Sequence, residues 1–280
     1  MTWIYHNGEF KSRDTIHVDI EDRGYQFGDG IYEVFRIYDQ QLFEVDAHLQ
    51  RLERSANEIK MHLPVSRDTL ARDMHELVQR NDILNGIVYL QVTRGVAARY
   101  HGFPSSDVPT QMVAYVKNMP RPTEDMQQGV NAILIDDSRW LRCDIKSLNL
   151  LGNVLAKQTA SEHGAFEAIQ HRDGTVTEGS SSNVFMIQNG KVYTHPATNL
   201  ILNGITRLKV LKLCQQLQLE VYEKSFSTEE ILDADEVFIT STTSEIMPIK
   251  RVNDQDIGPG IPGPLTVKLQ EAFEKEIQAV

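Results

Sequence analysis

The stretch "RWLRCDIKSLNLLGN", residues 139–153, sets one lysine among apolar side chains. Ile145 precedes Lys146, and Leu148, Leu150 and Leu151 follow it, with Arg139 and Arg142 a few residues upstream. A free lysine titrates near ~10.4. Apolar surroundings and nearby cations both disfavour its charged form. Such an amine is a nucleophile suited to forming a Schiff base with a carbonyl. The plainer alternative is a lysine whose stem packs while its head reaches water.

Other stretches carry complementary chemistry. In "VTEGSSSNVF", residues 176–185, Glu178 precedes Gly179, three serines and an asparagine. Glycine, hydroxyls and backbone N–H groups together can hold an anion, whereas Glu178 is better placed beside a protonated ring nitrogen. A polar turn would look the same. "LNGITRLKVL", residues 202–211, puts Gly204 and Thr206 at a helix start. That is a phosphate-binding arrangement, or a plain threonine cap. Thr240 to Ser244, including Ser241 and Thr242, is an unbroken run of hydroxyls at a strand end. It reads as a second phosphate cup or as a turn capping a helix. Arg51, in "HLQRL", is a phosphate partner or a solvated charge. Arg99 and His101 lie two apart in "TRGVAARYHGFP". In an extended loop that spacing points both side chains the same way, as a carboxylate clamp would require. An ordinary polar loop is the alternative. Each signal is weak alone, but together they fit one ligand. Pyridoxal 5′-phosphate needs a Schiff-base lysine, an acid at its pyridine nitrogen and a phosphate site.

The elements that must position these groups follow from periodicity. "TWIYHNGEFKSRDTIHVDI" reads as a hairpin about Asn7-Gly8. A strand from Gly30 turns near residues 39–41. Two helical patterns follow, the first with Leu49, Leu52, Ala56 and Ile59 on one face. "GIVYLQVTRG" and "QMVAYVKNM" are strands. "KNMPRPTED" is the linker candidate, because its prolines oppose helix and sheet. Beyond it, strands "GVNAILIDD", "FEAIQHR", "SNVFMIQNGKVYTH", "LEVYEKSF" and "DEVFITST" mix with helices "LLGNVLAKQTASEHG", "TRLKVLKLCQQLQ", "STEEILDA" and "LTVKLQEAFEKEI". The expectation is two α+β domains, residues 1–117 and 124–280, with a linker at 118–123 and the cofactor site at the seam.

Composition narrows the class. The 280 residues suffice for two modest domains, and 41% hydrophobic with 24% charged residues is ordinary for a globular protein. A net charge of -11 argues against nucleic-acid binding and offers no basic footprint for a membrane. Cys143 and Cys214 are too few for a disulfide framework or a four-thiolate site, so no metal is expected. Without a signal-like start or a long apolar run, the expected location is the cytoplasm.

The combination of "EDRGYQFGDGIYEV", "HLQRL", "VTRG", "RWLRCDIKSLNLL", "AKQ", "VTEGSSSNVF", "THP", "ILNGITR" and "TSTTSEI" resembles the fold-type IV pyridoxal-phosphate aminotransferases nearly end to end. Within them it is most similar to the bacterial D-amino-acid aminotransferases. The resemblance implies a two-domain architecture and a homodimer with a shared site. It implies that Lys146 forms the Schiff base and that Glu178 bonds the pyridine nitrogen. Arg51, Ile205, Thr206 and Thr242 would hold the phosphate, Ser241 would also bind the cofactor, and Leu202 would pack on the ring. Ser181, Ser182 and Arg139 would line the cofactor. Tyr32, with Arg99 and His101 of the partner subunit, would hold the substrate carboxylate. The implied reaction is transfer of an amino group from a D-amino acid such as D-alanine to a 2-oxo acid such as 2-oxoglutarate. An L-branched-chain aminotransferase or a 4-amino-4-deoxychorismate lyase on the same fold are the alternatives. The stretch "ARYH", residues 98–101, speaks for the D-specific reading. A non-catalytic phosphate-ligand binder would need neither the lysine nor the glutamate.

Overall fold

The structure, a computed structural model, describes residues 2–279. The chain forms two compact units. One comprises residues 2–120 with Ile145–Asn149, the other Arg121–Asp144 with Leu150–Ala279.

In the first unit β1 (Trp3–His6) and β2 (Glu9–Ser12) form the expected hairpin. Asn7 and Gly8 both take positive φ, the turn that matches the twist of paired strands. The helix α1 (Arg23–Phe27) follows, capped by the Asp22 carboxylate on the Gly24 and Tyr25 N–H groups. This short helix carries no periodic signal. Then come β3 (Gly30–Tyr38), β4 (Gln41–Leu42), α2 (Val45–Glu58), α3 (Arg67–Asn81), β5 (Gly86–Thr93) and β6 (Gln111–Asn118). The six strands pair antiparallel in the order β2-β1-β6-β5-β3-β4. Ile31, Phe35 and Ile37 of β3 pack in one core with Leu49, Leu52 and Ala56 of α2 and Leu70, Met74 and Leu77 of α3.

A division by sequence order at residues 118–123 misses one exchange. Residues 145–149 join the first unit because they pair with β3. Ile31 and Ser147 form an antiparallel bridge, the Tyr32 N–H donates to the Lys146 carbonyl at 3.0 Å, and the Leu148 N–H donates to the Gly30 carbonyl at 3.0 Å. Gly30 makes the approach possible: a Cβ there would stand 2.5 Å from the Val92 carbonyl and 2.7 Å from Leu148.

The second unit contains α4 (Thr123–Gln128), β7 (Val130–Asp136), α5 (Leu151–Glu162), β8 (Glu167–Arg172), β9 (Thr175–Gly179), β10 (Asn183–Gln188), β11 (Lys191–Thr194), α6 (Ile205–Gln216), β12 (Val221–Glu223), α7 (Thr228–Leu232), β13 (Glu236–Ser241), β14 (Glu245–Val252), β15 (Gln255–Asp256) and α8 (Pro264–Gln278). Its sheet runs β12-β11-β10-β13-β14-β7-β8-β9, with β15 paired to β14. Most pairs are antiparallel, but β7 lies parallel to both β8 and β14, and β11 lies parallel to β12. Helix α4 begins inside the proline-rich stretch, because Pro122 precedes the first helical residue instead of interrupting the helix. The Thr240–Ser244 run turns between two strands, β13 and β14, and caps no helix. Helix α6 packs against β13 and α8. No helix among the described residues is long and apolar enough to cross a membrane.

Candidate active site

Lys146 is fixed by its main chain. Besides the bonds to β3, its N–H reaches the Ser55 hydroxyl of α2 at 3.4 Å. Its Nζ stands 4.3 Å from the centre of the Tyr32 ring. Tyr32 belongs to an aromatic row on the sheet: its ring lies 5.8 Å from Tyr89, which lies 5.2 Å from Tyr115. The strand therefore places Tyr32 beside the amine. The two arginines upstream have carboxylate partners of their own. Arg139 is committed to Asp137 and Glu178, and Arg142 to Asp144.

On the alternate positions of β3, Glu33 is buried among Ile31, Phe35 and Ile37. It faces the second stripe of α2, His48 and Arg51. Arg51 Nε and Nη2 donate to the two Glu33 oxygens at 2.7 and 2.8 Å, and His48 Nδ1 lies 2.8 Å from Oε2. Arg51 is thus neither solvated nor isolated. Burial opposes ionisation of Glu33, but Arg51 and His48 outweigh it and hold the carboxyl at about 2. The native value lies below the ordinary one, so this stabilisation is present above about pH 4.5 and is lost as pH falls through about 2. Glu33→Gln is expected to cost about 3–5 kcal/mol at neutral pH, as breaking a buried ion pair does. The deficit should shrink as pH falls toward 2. Denaturant titrations at several pH values read this directly, and a pH-independent deficit would contradict it.

Arg99 and His101 are exposed, and both lie against Phe27 of α1. The Arg99 guanidinium is 4.4 Å and the His101 ring 5.5 Å from the Phe27 ring centre. Sequence reasoning missed what fixes this loop. Buried Arg23 donates Nη1 to the Tyr100 carbonyl at 2.7 Å and Nε to Asp29 at 2.8 Å. Asp29 also accepts from Arg94, whose Nη1 and Nη2 cap the Lys60 and Ile59 carbonyls. Both arginines belong to motifs quoted for the resemblance, "EDRGYQFGDG" and "VTRG", yet no spacing discloses their shared aspartate.

In the second unit Glu178 ends β9 with a buried side chain. One oxygen accepts from Arg139 Nη1, the other from Asn183 Nδ2 at 3.0 Å and the Leu202 N–H at 3.0 Å. Burial pushes this carboxyl up to about 7, against Arg139 and the Leu202 N–H, which pull it down. A carboxylate offers about four lone-pair positions. Three are filled within the unit, leaving room for one further donor.

The turn after Glu178 is closed by the Gly179 N–H on the Ser182 carbonyl at 2.7 Å. Its hydroxyls do meet an anion, but the anion is the chain's own Glu167. That buried carboxylate accepts from the hydroxyls of Ser180 and Ser182, from the Ser180 N–H at 3.1 Å, and from the Ser181 hydroxyl at 3.4 Å.

The loop leading to α6 is tied to Glu178. Asn183 bridges Glu178 and the Leu202 carbonyl, the latter at 2.8 Å. Gly204, not Thr206, is the cap residue of α6, and no side chain caps this helix start. Ile205 and Thr206 therefore open the helix with N–H groups suited to an anion. In the β13–β14 turn the Ser241 hydroxyl is engaged by the Ser244 N–H at 3.0 Å and lies 2.9 Å from the Ser244 hydroxyl, and Thr242 is partly exposed.

Comparisons with known proteins agree with this chemistry. The Amino-transferase class IV family matches residues 30–252. D-alanine aminotransferase of Bacillus licheniformis is 53% identical over 274 residues, covering 98% of this chain and 96% of that protein. D-alanine aminotransferase of Staphylococcus aureus (strain MSSA476) is 48% identical over 279 residues, covering 100% and 99%. Among solved structures, Escherichia coli branched-chain amino acid aminotransferase superposes with a TM-score of 0.93 at 27% identity, covering 98% of this chain and 94% of that one. A second branched-chain amino acid aminotransferase, from T.th., solved with pyridoxamine 5′-phosphate, gives 0.93 at 25% identity, covering 99% and 94%.

Proposed function

This chain belongs to the amino-transferase class IV family, and from that premise we propose that it is a pyridoxal-phosphate-dependent D-amino-acid transaminase. It converts D-alanine and 2-oxoglutarate to pyruvate and D-glutamate. Two D-alanine aminotransferases share 53% and 48% of its residues, against 27% and 25% for two branched-chain enzymes of the same fold. The observation that carries the reading is Glu178: a buried carboxylate with Arg139, Asn183 and Leu202 in place and one acceptor position left. A protonated ring nitrogen is a single N–H donor and fits that position.

The remaining residues fit the same cofactor. Lys146 presents an amine that pairs with no carboxylate among the described residues, and would hold the aldehyde carbon. The N–H groups of Ile205 and Thr206, with Ser241, Thr242 and Arg51, would hold the phosphate. Leu202 would pack on the ring, and Arg139, Ser181 and Ser182 would line it. When bound, pyridoxal phosphate supplies the electron sink that lets the Cα proton leave. Lys146 takes that proton as base and returns it as acid. Glu178 keeps the ring nitrogen protonated. Tyr32, with the partner subunit's Arg99 and His101, fixes the substrate carboxylate and so chooses which enantiomer turns its hydrogen toward Lys146. Amino-group transfer then proceeds in two half-reactions.

Helix α5 supports a homodimer. It leaves Leu151, Val154 and Leu155 exposed on one face at 72%, 58% and 57%. The two free thiols, Cys143 and Cys214, suit a reducing compartment, and we place the protein in the cytoplasm.

Purified protein with pyridoxal phosphate should form pyruvate from D-alanine plus 2-oxoglutarate and none from L-alanine. Turnover of L-leucine instead would move the assignment to the branched-chain reaction. Sedimentation of the same sample at a single chain's mass would remove the dimer. Gly204→Ala probes the phosphate end. A Cβ there would stand 2.2 Å from Asn183 Oδ1, and Asn183 cannot yield without loosening Glu178 and Leu202. Overpacking of this kind costs about 1–3 kcal/mol. The expected result is at least about tenfold weaker pyridoxal-phosphate binding by the apoprotein. An unchanged affinity would separate the start of α6 from the cofactor.

A further inference from the structure

The assignment of Glu178 to the ring nitrogen leaves a charge problem. Arg139 and Glu178 together are neutral, and a neutral pair offers little to an incoming cation. We propose that Asp137 resolves this as a positioning residue: it clamps Arg139 against Glu178 and supplies the negative charge by which the site selects a protonated ring nitrogen. The proposal rests on the reading of Glu178 as the nitrogen's partner.

The geometry is that of a relay. Asp137 follows β7, with no exposure of its side chain. Its Oδ1 accepts from Arg139 Nε at 2.9 Å and from the Arg139 N–H at 3.0 Å, and its Oδ2 accepts from Arg139 Nη2 at 2.8 Å. This fork leaves Arg139 one direction for Nη1, toward Glu178. Thr177, one residue before Glu178, shares its hydroxyl proton between Asp137 Oδ2 at 3.0 Å and the Gln170 carbonyl at 3.1 Å. Strand β9 is therefore pinned to the same carboxylate that holds the arginine. The Arg139 side chain is only 5% exposed, so its orientation is set by these partners and not by water.

The charges follow from the same contacts. With Glu178 ionised, Asp137, Arg139 and Glu178 sum to one negative charge. Arg172, with Nε 3.1 Å from Asp137 Oδ2, is the remaining cation of the cluster, and its side chain is 23% exposed. Water screens it more than it screens the buried trio. Cys143 nearby stays a neutral thiol, since burial pushes it up to about 11. With Arg172 counted the four side chains are formally neutral, and the negative charge beside Glu178 is that of the buried trio, whose outer cation water screens.

The test compares two ligands of the apoprotein: pyridoxal phosphate and its carbocyclic analogue with C–H in place of the ring nitrogen. The ratio of their dissociation constants reports selection for the nitrogen, and a general loss of structure would weaken both. Glu178→Gln should collapse the preference. Asp137→Asn should lower it about tenfold, while Arg172→Gln should raise it, because it removes the opposing charge. An unchanged ratio in Asp137→Asn beside a collapsed one in Glu178→Gln would overturn the role of Asp137 and leave Glu178 as the partner. An unchanged ratio in Glu178→Gln would overturn both. Should Asp137→Asn fail to fold, Arg172→Gln decides alone, and a ratio that does not rise would overturn the proposal.

Discussion

Lys146→Ala is expected to abolish transamination, with at least about a 10⁴-fold loss of kcat, while the protein stays folded. Proton transfer by a positioned side chain contributes about 10²–10⁴-fold, and the covalent hold on the cofactor is lost as well. The fold should survive because the contacts that seat this residue are made by its main chain. The Lys146 carbonyl accepts from Tyr32 and its N–H reaches Ser55, and alanine keeps both. What disappears is the amine beside the Tyr32 ring. Pyruvate formation from D-alanine measures the loss. Borohydride reduction followed by peptide mapping should label residue 146 in the native protein and nothing in the variant. Activity within tenfold of native, with label on another lysine, would remove Lys146 from the chemistry.

Glu178→Gln is expected to lower kcat by about 10²–10³-fold, the usual consequence of removing one preorganised electrostatic contact to developing charge. The substitution keeps shape but removes the charge and turns one acceptor into a donor. A carboxylate accepts from Arg139, Asn183 and the Leu202 N–H. An amide replaces one acceptor oxygen with an NH₂ group and leaves Arg139 facing a neutral partner. Arg139 should hold its place, since Asp137 grips it through Nε and Nη2. The loss should therefore fall on proton removal from Cα. Deuterium at that carbon gives the check: the isotope effect on kcat should rise in the variant as that step becomes limiting. A kcat and isotope effect equal to native would show that Glu178 does not govern the ring.

The candidate residues Lys146 and Glu178 stand out in the sequence because their types are rare in their settings. A lysine in an apolar run and an acid before a serine-rich turn stand out in any composition. The resemblance carried along "VTEGSSSNVF" and "ILNGITR" joined them to one cofactor. Local structure was legible for local reasons. Asn7-Gly8 fixes its own turn, and the spacing of Leu49, Leu52 and Ala56 fixes one face of α2. The short helix α1 and strand β14 were missed, one too brief for a period and the other following a hydroxyl run read as a cup or a helix cap.

Only the tertiary structure decided who pairs with whom. Spacing shows Arg139 only as a cation upstream of Lys146, and the fold pairs it with Asp137 and with Glu178, the latter 39 residues away. Arg51 reads from sequence as a phosphate partner or a solvated charge, and the fold buries it and gives it Glu33, 18 residues earlier, which no spacing discloses. The serine hydroxyls looked open to a ligand, and the fold spends them on Glu167. The physical reason is common to all three. A charged or polar side chain carries strong but undirected demand for partners, and burial forces that demand to be met by whatever the packing of distant strands brings within about 3 Å. Sequence determined which residue types this chain possesses; the packing of β3 on α2, and the neighbouring of β7, β8 and β9 in one sheet, determined which of its charges pair with one another.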